Sequence, residues 1–270
     1  MIAEGAWYHQ LARRTVFAAR LRGGLIGGGE FQGEALAQSQ RVVHPQKRFY
    51  AGGATSVRGF AQNRLGPRVL TTEVANLLGF RQLEGGGTER ICAPEAVVSL
   101  ECAPEGLPDG VFTPRPTGGT RMLEANVEYR FAFGGAFQGV LFLDAGQVWQ
   151  EAQTVDLSDL EFSPGVGVRY FSPVGPVRLD VGYRFRDTEG LRVVTPQIRP
   201  FGVGDDPADR ICVVDHGALG VDRETCGEGR VPISWVLTDE LALLREPVLF
   251  GDSGGFLRNL QLHISIGQAF

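Results

Sequence analysis

The residues from Met122 to Phe133 read MLEANVEYRFAF, and their polarity alternates almost position by position. The odd-numbered positions are apolar or aromatic throughout, and they are Leu123, Ala125, Val127, Tyr129, Phe131 and Phe133. The even-numbered positions include the charged and amide side chains of Glu124, Asn126, Glu128 and Arg130. Because successive side chains of a β-strand point to opposite faces, this stretch predicts a strand with one apolar face and one charged face.

The same period-two pattern recurs along the chain. It is clearest in VRLDVGYRF (Val177–Phe185) and in LQLHISIGQAF (Leu260–Phe270). It is weaker in Thr15–Ile26, Gly139–Trp149 and Gly165–Phe171. Together these segments predict six strands of roughly 9 to 12 residues, and the absence of a 3.6-residue period indicates an all-β fold.

Two all-β architectures produce such alternation. Strands of soluble sandwiches usually run for about five or six residues, and their apolar face is turned inward. Strands of a transmembrane barrel are longer, with the apolar face toward lipid, the polar face toward the lumen and aromatic residues near the strand ends. The strand lengths and the terminal aromatics, such as Tyr129, Tyr170 and Tyr183, favour an antiparallel transmembrane β-barrel.

Composition argues against several other classes of protein. The net charge is -5, Lys47 is the single lysine and there is no basic run, so a nucleic-acid interface is not expected. No stretch of about 20 apolar residues predicts a transmembrane helix. The first residues, MIAEGAWYHQLARR, lack the basic region and apolar core of a signal peptide. The 38 glycines suit closely packed strands and turns.

The connections between the predicted strands differ greatly in length. Short turns are predicted near residues 134–136 and 172–175, whereas residues from about 28 to 119 and from about 187 to 256 are long, polar and rich in Gly and Pro. Short turns on one side and long loops on the outer side are typical of outer-membrane barrels. We therefore predict two long extracellular loops.

Each predicted long loop contains one pair of cysteines. Cys92 and Cys102 lie in the first, and Cys212 and Cys226 lie in the second. The spacing is not CxxC and the histidines do not cluster with the cysteines, which argues against a zinc site. Two local disulfides formed in an oxidising compartment are favoured over unpaired thiols.

One stretch raises the question of enzymatic activity. GDSGG (Gly251–Gly255) resembles the surroundings of the nucleophile in trypsin-like proteases, which would make Ser253 the nucleophile. No histidine lies in a matching context, and a triad requires a partner base. The inward-facing carboxylates are expected in any polar lumen. No catalytic residue, cofactor or metal is predicted, and the protein is predicted not to be an enzyme.

The stretch RFYAGGATSVRGF (Arg48–Phe60) fits neither a helix nor a strand pattern. If this loop folds into the lumen, Arg58 can form bidentate hydrogen bonds with a carboxylate there, and the glycines permit close approach to the wall. Spacing alone leaves open the alternative that Arg58 is exposed on an outer loop.

Four stretches, in this order, resemble the BamA/TamA superfamily of outer-membrane assembly barrels, also called bacterial surface antigens. They are RFYAGGATSVRGF, NVEYRF (Asn126–Phe131), LFLDAGQVW (Leu141–Trp149) and SPVGPVRLDVGYRF (Ser172–Phe185). The last strand resembles the C-terminal targeting signal of outer-membrane barrels, carried here by Leu262, Ile264, Ile266 and Phe270.

The resemblance implies a sixteen-stranded barrel, of which residues 1–270 would form the C-terminal six or so strands, with the family's periplasmic POTRA domains absent from the chain. It implies that the loop motif enters the lumen, and the motif residues are Gly52, Gly53, Val57, Arg58, Gly59 and Phe60. It also implies that Glu128 and Asp144 are the acidic partners of Arg58.

The implied function is ATP-independent insertion of other barrel proteins into the bacterial outer membrane, or translocation of passengers, through a lateral seam between the first and last strands. The implied partners are outer-membrane lipid, unfolded client proteins, and periplasmic assembly lipoproteins or a TamB-like protein. The alternatives are a transporter or secretion pore of the same superfamily, or a non-functional gene fragment. Six strands are fewer than the roughly eight that close a barrel, so we expect a longer protein or a second chain.

Overall fold

The computed structural model describes residues 1–27, 29–31, 40–83, 85–150, 154–173, 175–185, 188–206, 209–213, 234–251 and 256–267. The strands in chain order are β1 (Ile2–Ala12), β2 (Thr15–Leu25), β3 (Gly29–Phe31), β4 (Gln40–Val42), β5 (Arg68–Thr71), β6 (Phe80–Gln82), β7 (Thr88–Arg90), β8 (Thr113–Pro116), β9 (Arg121–Gly134), β10 (Phe137–Trp149), β11 (Glu161–Ser172), β12 (Gly175–Tyr183), β13 (Glu189–Pro200), β14 (Arg210–Cys212), β15 (Ser234–Phe250) and β16 (Leu260–Ile266).

Helices contribute little to the described structure. Two short α-helices occur, α1 (Val74–Leu77) and α2 (Pro94–Val98). Single 3₁₀ turns cover Pro45–Lys47, Asp109–Val111, Leu157–Asp159 and Phe256–Asn259. None of the helices in the described ranges is long and apolar enough to cross a membrane.

The chain divides into two compact units. The first, called here the sheet unit, comprises Met1–Arg68, Pro116–Asp187 and Ser253–Phe270. The second, called the insert unit, comprises Val69–Arg115 and Thr188–Asp252. In chain order the insert unit therefore arises from two segments that interrupt the sheet unit.

The sheet unit is built on one seven-stranded sheet in the order β1-β2-β9-β10-β11-β12-β16. All neighbouring pairs are antiparallel, as in the pairing of Leu143 on β10 with Val127 on β9. Gly134 and Gly135 form the turn between β9 and β10 with φ angles of 129° and 59°, which glycine adopts without steric cost. The predicted all-β antiparallel fold is confirmed.

The sheet differs from the prediction by one strand. All six predicted segments lie in it, and β1 adds a seventh strand at one edge. The sequence IAEGAWYHQLA gave no clear signal because small and polar residues occur on both faces of β1, and every residue of β1 is exposed. Burial therefore imposes no clean alternation there.

The region from about 187 to 256, predicted to be a long extracellular loop, carries secondary structure of its own. It contains β13 and the 17-residue β15, which pair with each other in a five-stranded sheet of order β14-β15-β13-β5-β8. Register shifts near Val193 and Gln197 interrupt the pairing of β13 with β15, and Pro196 and Pro247 lie within the two strands. These irregularities disrupt the period-two pattern.

The region from about 28 to 119 is also more structured than a loop, since it contains β3 to β8 and both helices. Within the insert unit, α1 and α2 share a buried core with β13 and β15 that includes Leu77, Val97 and Val193. Cys92 and Cys102 form a disulfide in this core, with a Cα–Cα distance of 5.4 Å. Cys226 lies outside the described residues, so its pairing with Cys212 stays a prediction.

Candidate functional site

The two faces of the seven-stranded sheet have opposite polarity, and the charged face is the buried one. The outward face exposes apolar side chains that are direct cross-strand neighbours, such as Val127 with Leu143 and Leu141 with Val166. The other face buries charge to below 2% exposure at Glu124, Glu128, Asp144, Asp180, Arg169 and Arg178. A soluble protein shows the reverse arrangement, whereas a wall between lipid and a polar interior requires this one.

A loop lies against the charged face, and we call residues 48–65 the motif loop. Its own turns are closed by backbone hydrogen bonds, including one from Gly53 N–H to the Phe60 carbonyl at 3.0 Å. Val57 and Phe60 are buried in a small apolar cluster with Met122 and Val148 of the sheet. The motif loop therefore has a fixed structure even though its sequence shows neither a helical nor a strand period.

Gly52 and Gly53 are required by the backbone of the motif loop. Their φ angles are 97° and 113°, in the region that favours glycine. A Cβ atom on Gly52 would lie 2.7 Å from the Ala61 carbonyl oxygen, a backbone atom that could not move aside as a flexible side chain could.

Arg58 is the centre of the contacts between loop and sheet. It is 1% exposed, and its Nε and Nη2 donate to the two oxygens of Asp144 at 2.7 and 2.8 Å. Its Nη1 donates to Glu128 at 2.6 Å and lies 3.6 Å from Asp180. The backbone N–H of Arg58 donates to Asp144 as well, at 3.0 Å. The structure thus brings Arg58 together with both carboxylates named from the sequence, and adds a third.

The surroundings of Arg58 keep its guanidinium charged. Burial alone would lower the pKa of Arg58, but the hydrogen bond and charge of Asp144, followed by the charges of Glu128 and Asp180, raise it above its ordinary value. The guanidinium carbon also lies 3.5 Å from the centre of the Phe142 ring, a cation–π contact on β10. A buried charge of this kind is tolerated only when it is paired and hydrogen-bonded.

Further arginines neutralise the carboxylates from neighbouring strands. Glu128 accepts from Arg130 on β9 at 2.6 Å and from Arg169 on β11 at 2.9 Å. Asp180 accepts from Arg178 on β12 at 2.6 Å. Because Glu128 and Asp180 are each shared by more than one arginine, and Arg58 also binds Asp144, the ion pairs form a continuous network from β9 to β12.

Three strands also hold the backbone of the motif loop, through contacts that the sequence analysis did not name. Arg20 on β2 donates to the Thr55 carbonyl at 2.8 Å, and the Asn126 amide on β9 donates to the Ser56 carbonyl at 2.7 Å. Arg178 on β12 donates to the Ala54 carbonyl at 2.9 Å. The hydroxyl of Ser56 donates to Glu124. The sequence signal for these contacts was the alternation of polar and apolar positions, which placed Asn126 on the charged face.

Glycines on both sides allow the motif loop to touch the sheet backbone. A Cβ on Gly182 of β12 would lie 2.6 Å from the Arg58 carbonyl, and one on Gly59 would lie 3.0 Å from the Tyr183 carbonyl. On β10, a Cβ on Gly146 would lie 2.8 Å from Val57. At each of these three positions a larger residue would force a neighbouring atom to shift.

Three residues of the predicted targeting signal lie on β16 and are not part of this site. Leu262, Ile264 and Ile266 are exposed on the outward face of β16. Phe270 lies outside the described residues. Within the described ranges, no group of three or more histidine, cysteine or carboxylate side chains is arranged to hold a metal ion.

Comparison with known proteins identifies the family. Residues 2–206 match the Omp85 superfamily domain. The chain belongs to the Omp85 superfamily. This confirms the family predicted from the four ordered motifs, because the matched range includes all of them.

Two relatives of this Omp85 chain carry the name BamA. The outer membrane protein assembly factor BamA of Nitratidesulfovibrio vulgaris strain Hildenborough is 27% identical over 185 residues, which are 67% of this chain and 17% of that protein. The crystal structure of BamA from Haemophilus ducreyi lacking POTRA domains 1–3 is similar with a TM-score of 0.40 and 14% identity, covering 90% of this chain and 34% of that one. The Omp85 chain thus spans a small part of the length of either relative.

Proposed function

We propose that this chain forms part of a bacterial outer-membrane β-barrel that inserts other outer-membrane proteins into the bilayer. The observation that carries the proposal is the motif loop, which is held by Arg58 on a charged sheet face whose opposite face is apolar and exposed. Membership of the Omp85 superfamily supports this reading, and a relative named as an outer membrane protein assembly factor gives the class of activity.

The geometry supports a mechanism without a cofactor or catalytic residue. The motif loop ties β2, β9, β10 and β12 into one rigid wall through Arg20, Asn126, Asp144 and Arg178. Among the described residues, β16 lies at the edge of the sheet and pairs with β12 over Leu260–Ile266. A wall held together by the motif loop would stay folded while the edge strand opens, which would give a client strand access to the bilayer.

The partners in this proposal are outer-membrane lipid on the apolar face and unfolded outer-membrane proteins at the edge strand. Periplasmic assembly lipoproteins, or a TamB-like protein, would act through N-terminal domains of the whole protein. Within the described residues, β1 and β16 each have one neighbouring strand. A closed barrel would therefore need further strands, since an open sheet edge is not stable in lipid.

A second candidate is a transporter or secretion pore of the same superfamily, favoured by the charged sheet face. The motif loop lies against that face and buries Arg58 with its carboxylates, and this is the observation that ranks the pore below insertion.

The test uses the full-length protein reconstituted in liposomes, with insertion of a client barrel and flux of a small solute measured in parallel. We expect Arg58→Ala to reduce client insertion by at least about tenfold, because removal of one partner of a buried ion pair costs about 3–5 kcal/mol. Arg245→Ala is the matched control, since the Arg245–Glu101 pair is exposed in the insert unit. Normal insertion by Arg58→Ala together with a raised solute flux would favour the pore instead.

A further inference from the structure

β16 presents one histidine to the charged side of the sheet. Its outward residues are Leu262 and Ile264, and His263 lies between them on the opposite face. The register pairs His263 with Asp180 of β12, one of the carboxylates near Arg58. The strand at the sheet edge therefore places a hydrogen-bonding side chain beside the motif loop.

His263 contacts the backbone of the motif residue itself. Its Nε2 lies 3.0 Å from the carbonyl oxygen of Arg58. An Nε2–H would donate to that carbonyl, while the guanidinium of the same residue is bound to Asp144 and Glu128. Arg58 thus contacts β16 through its carbonyl and β9 and β10 through its side chain.

The other polar residues on this face of β16 do not reach the motif loop. The Gln261 amide donates to the Leu262 carbonyl. The Ser265 hydroxyl is buried, and among the described residues it has no hydrogen-bond partner. Within the described part of the chain, the side-chain contact from β16 to the motif loop is made by His263.

We propose that His263 is a positioning residue that couples the edge strand β16 to the seating of the motif loop. The coupling has a simple basis, because one residue offers its carbonyl to His263 and its guanidinium to Asp144 and Glu128. Release of the loop removes the acceptor and weakens the hold on β16, and opening of β16 removes the donor. The inference rests on the proposed function, since it describes how the insertion site and the edge strand communicate.

The experiment measures backbone amide hydrogen exchange of Leu260–Ile266 in the full-length protein in liposomes. We expect His263→Ala to speed exchange about fivefold, in line with loss of one hydrogen bond. His263→Gln retains an N–H donor on a side chain of similar reach and should exchange close to the parent protein. Ser265→Ala is the matched control on the same strand and face, and should leave the exchange unchanged.

A double-variant comparison separates coupling from local strand damage. In an Arg58→Lys background, which keeps the charge but cannot form the forked contact to Asp144, His263→Ala should add little further exchange. Heat-modifiable migration on gels confirms that each variant is folded. An equal effect of His263→Ala in both backgrounds, or an effect no larger than that of Ser265→Ala, would overturn the proposal.

This readout does not depend on insertion activity. If His263→Ala speeds exchange less in the Arg58→Lys background but the parent protein inserts no client, the proposed function is rejected and the link between His263 and Arg58 stands. If the parent protein inserts the client but the effect of His263→Ala is equal in both backgrounds, the link is rejected and the proposed function stands.

Discussion

All three nitrogens of the Arg58 guanidinium donate a hydrogen bond to a carboxylate. Two parallel hydrogen bonds reach Asp144, and a third group reaches Glu128. A lysine ammonium is a point charge and cannot present this fork, so it would leave at least one carboxylate of the site with a poorer partner. Burial makes the difference large, because an unsatisfied charge in this environment costs several kcal/mol.

Close backbone contact matters as much as charge at this site, and it gives a prediction at the level of a single residue. We expect Gly182→Ala to lower the free energy of unfolding by about 1–3 kcal/mol, since the added Cβ would lie 2.6 Å from the Arg58 carbonyl. Urea unfolding of the barrel, followed by tryptophan fluorescence, measures the change.

Gly23→Ala is the control for this substitution. Gly23 lies on β2 in the same sheet, and the nearest atom to its added Cβ is the Met122 carbonyl oxygen at 3.9 Å. If Gly182→Ala lowers the free energy of unfolding no more than Gly23→Ala does, the motif loop does not contact β12 in the folded protein.

The residues of the site differ in how far the sequence predicts them. Strand parity places Glu128 and Asp144 on the charged face, and the family resemblance pairs them with Arg58. The contact to His263 needs the register between β12 and β16, which a long intervening segment separates in sequence. Such long-range pairing has no local signal, so Asp180 and His263 could not be assigned as neighbours of the motif loop.

At the scale of elements, the insert unit depends on a short covalent loop. The disulfide joins Cys92, which follows β7, to Cys102, which follows α2, and both cysteines are buried in the core. We expect the double variant Cys92→Ser with Cys102→Ser to lower the stability of the insert unit by about 2–3 kcal/mol, the value for closing a loop of this size. Limited proteolysis measures this as faster cleavage within residues 85–106.

The comparison with reduced parent protein provides the control for the disulfide prediction. Reduction should produce the same increase in cleavage as the double substitution, since both remove the same constraint. If the protease cleaves the double variant no faster than the oxidised parent protein, the disulfide does not stabilise the insert unit.

The strands that the sequence did not predict lack a clean alternation, for two different reasons. β13 and β15 contain prolines and register shifts, and β1 is exposed on both faces. In contrast, β9 separates a buried charged face from an exposed apolar one, and its alternation is correspondingly clean. Period-two patterns therefore predict strands only where the two faces of the sheet meet different environments.

At the scale of the whole molecule, the sheet unit has the polarity of a membrane wall. Its apolar residues are exposed over several adjacent strands, including Leu141, Val166 and Leu179 on β10, β11 and β12. Contiguous exposed apolar surface of this kind marks contact with lipid or another apolar partner. Together with membership of the Omp85 superfamily, this supports the bacterial outer membrane as the location of the protein.

The lipid-facing assignment leads to a prediction about charge. Leu143→Arg should lower the free energy of unfolding in a bilayer by about 2–4 kcal/mol, because Leu143 lies mid-strand on the outward face of β10, where an arginine would face hydrocarbon. Leu241→Arg is the matched control, since Leu241 is also strongly exposed but belongs to the insert unit. Denaturant titration of the two variants in liposomes gives the comparison. If the two substitutions destabilise the protein equally little, the outward face of the sheet does not contact lipid. If Leu143→Arg alone is destabilising, the outward face contacts lipid, and the charged face beneath the motif loop is therefore the interior of the barrel.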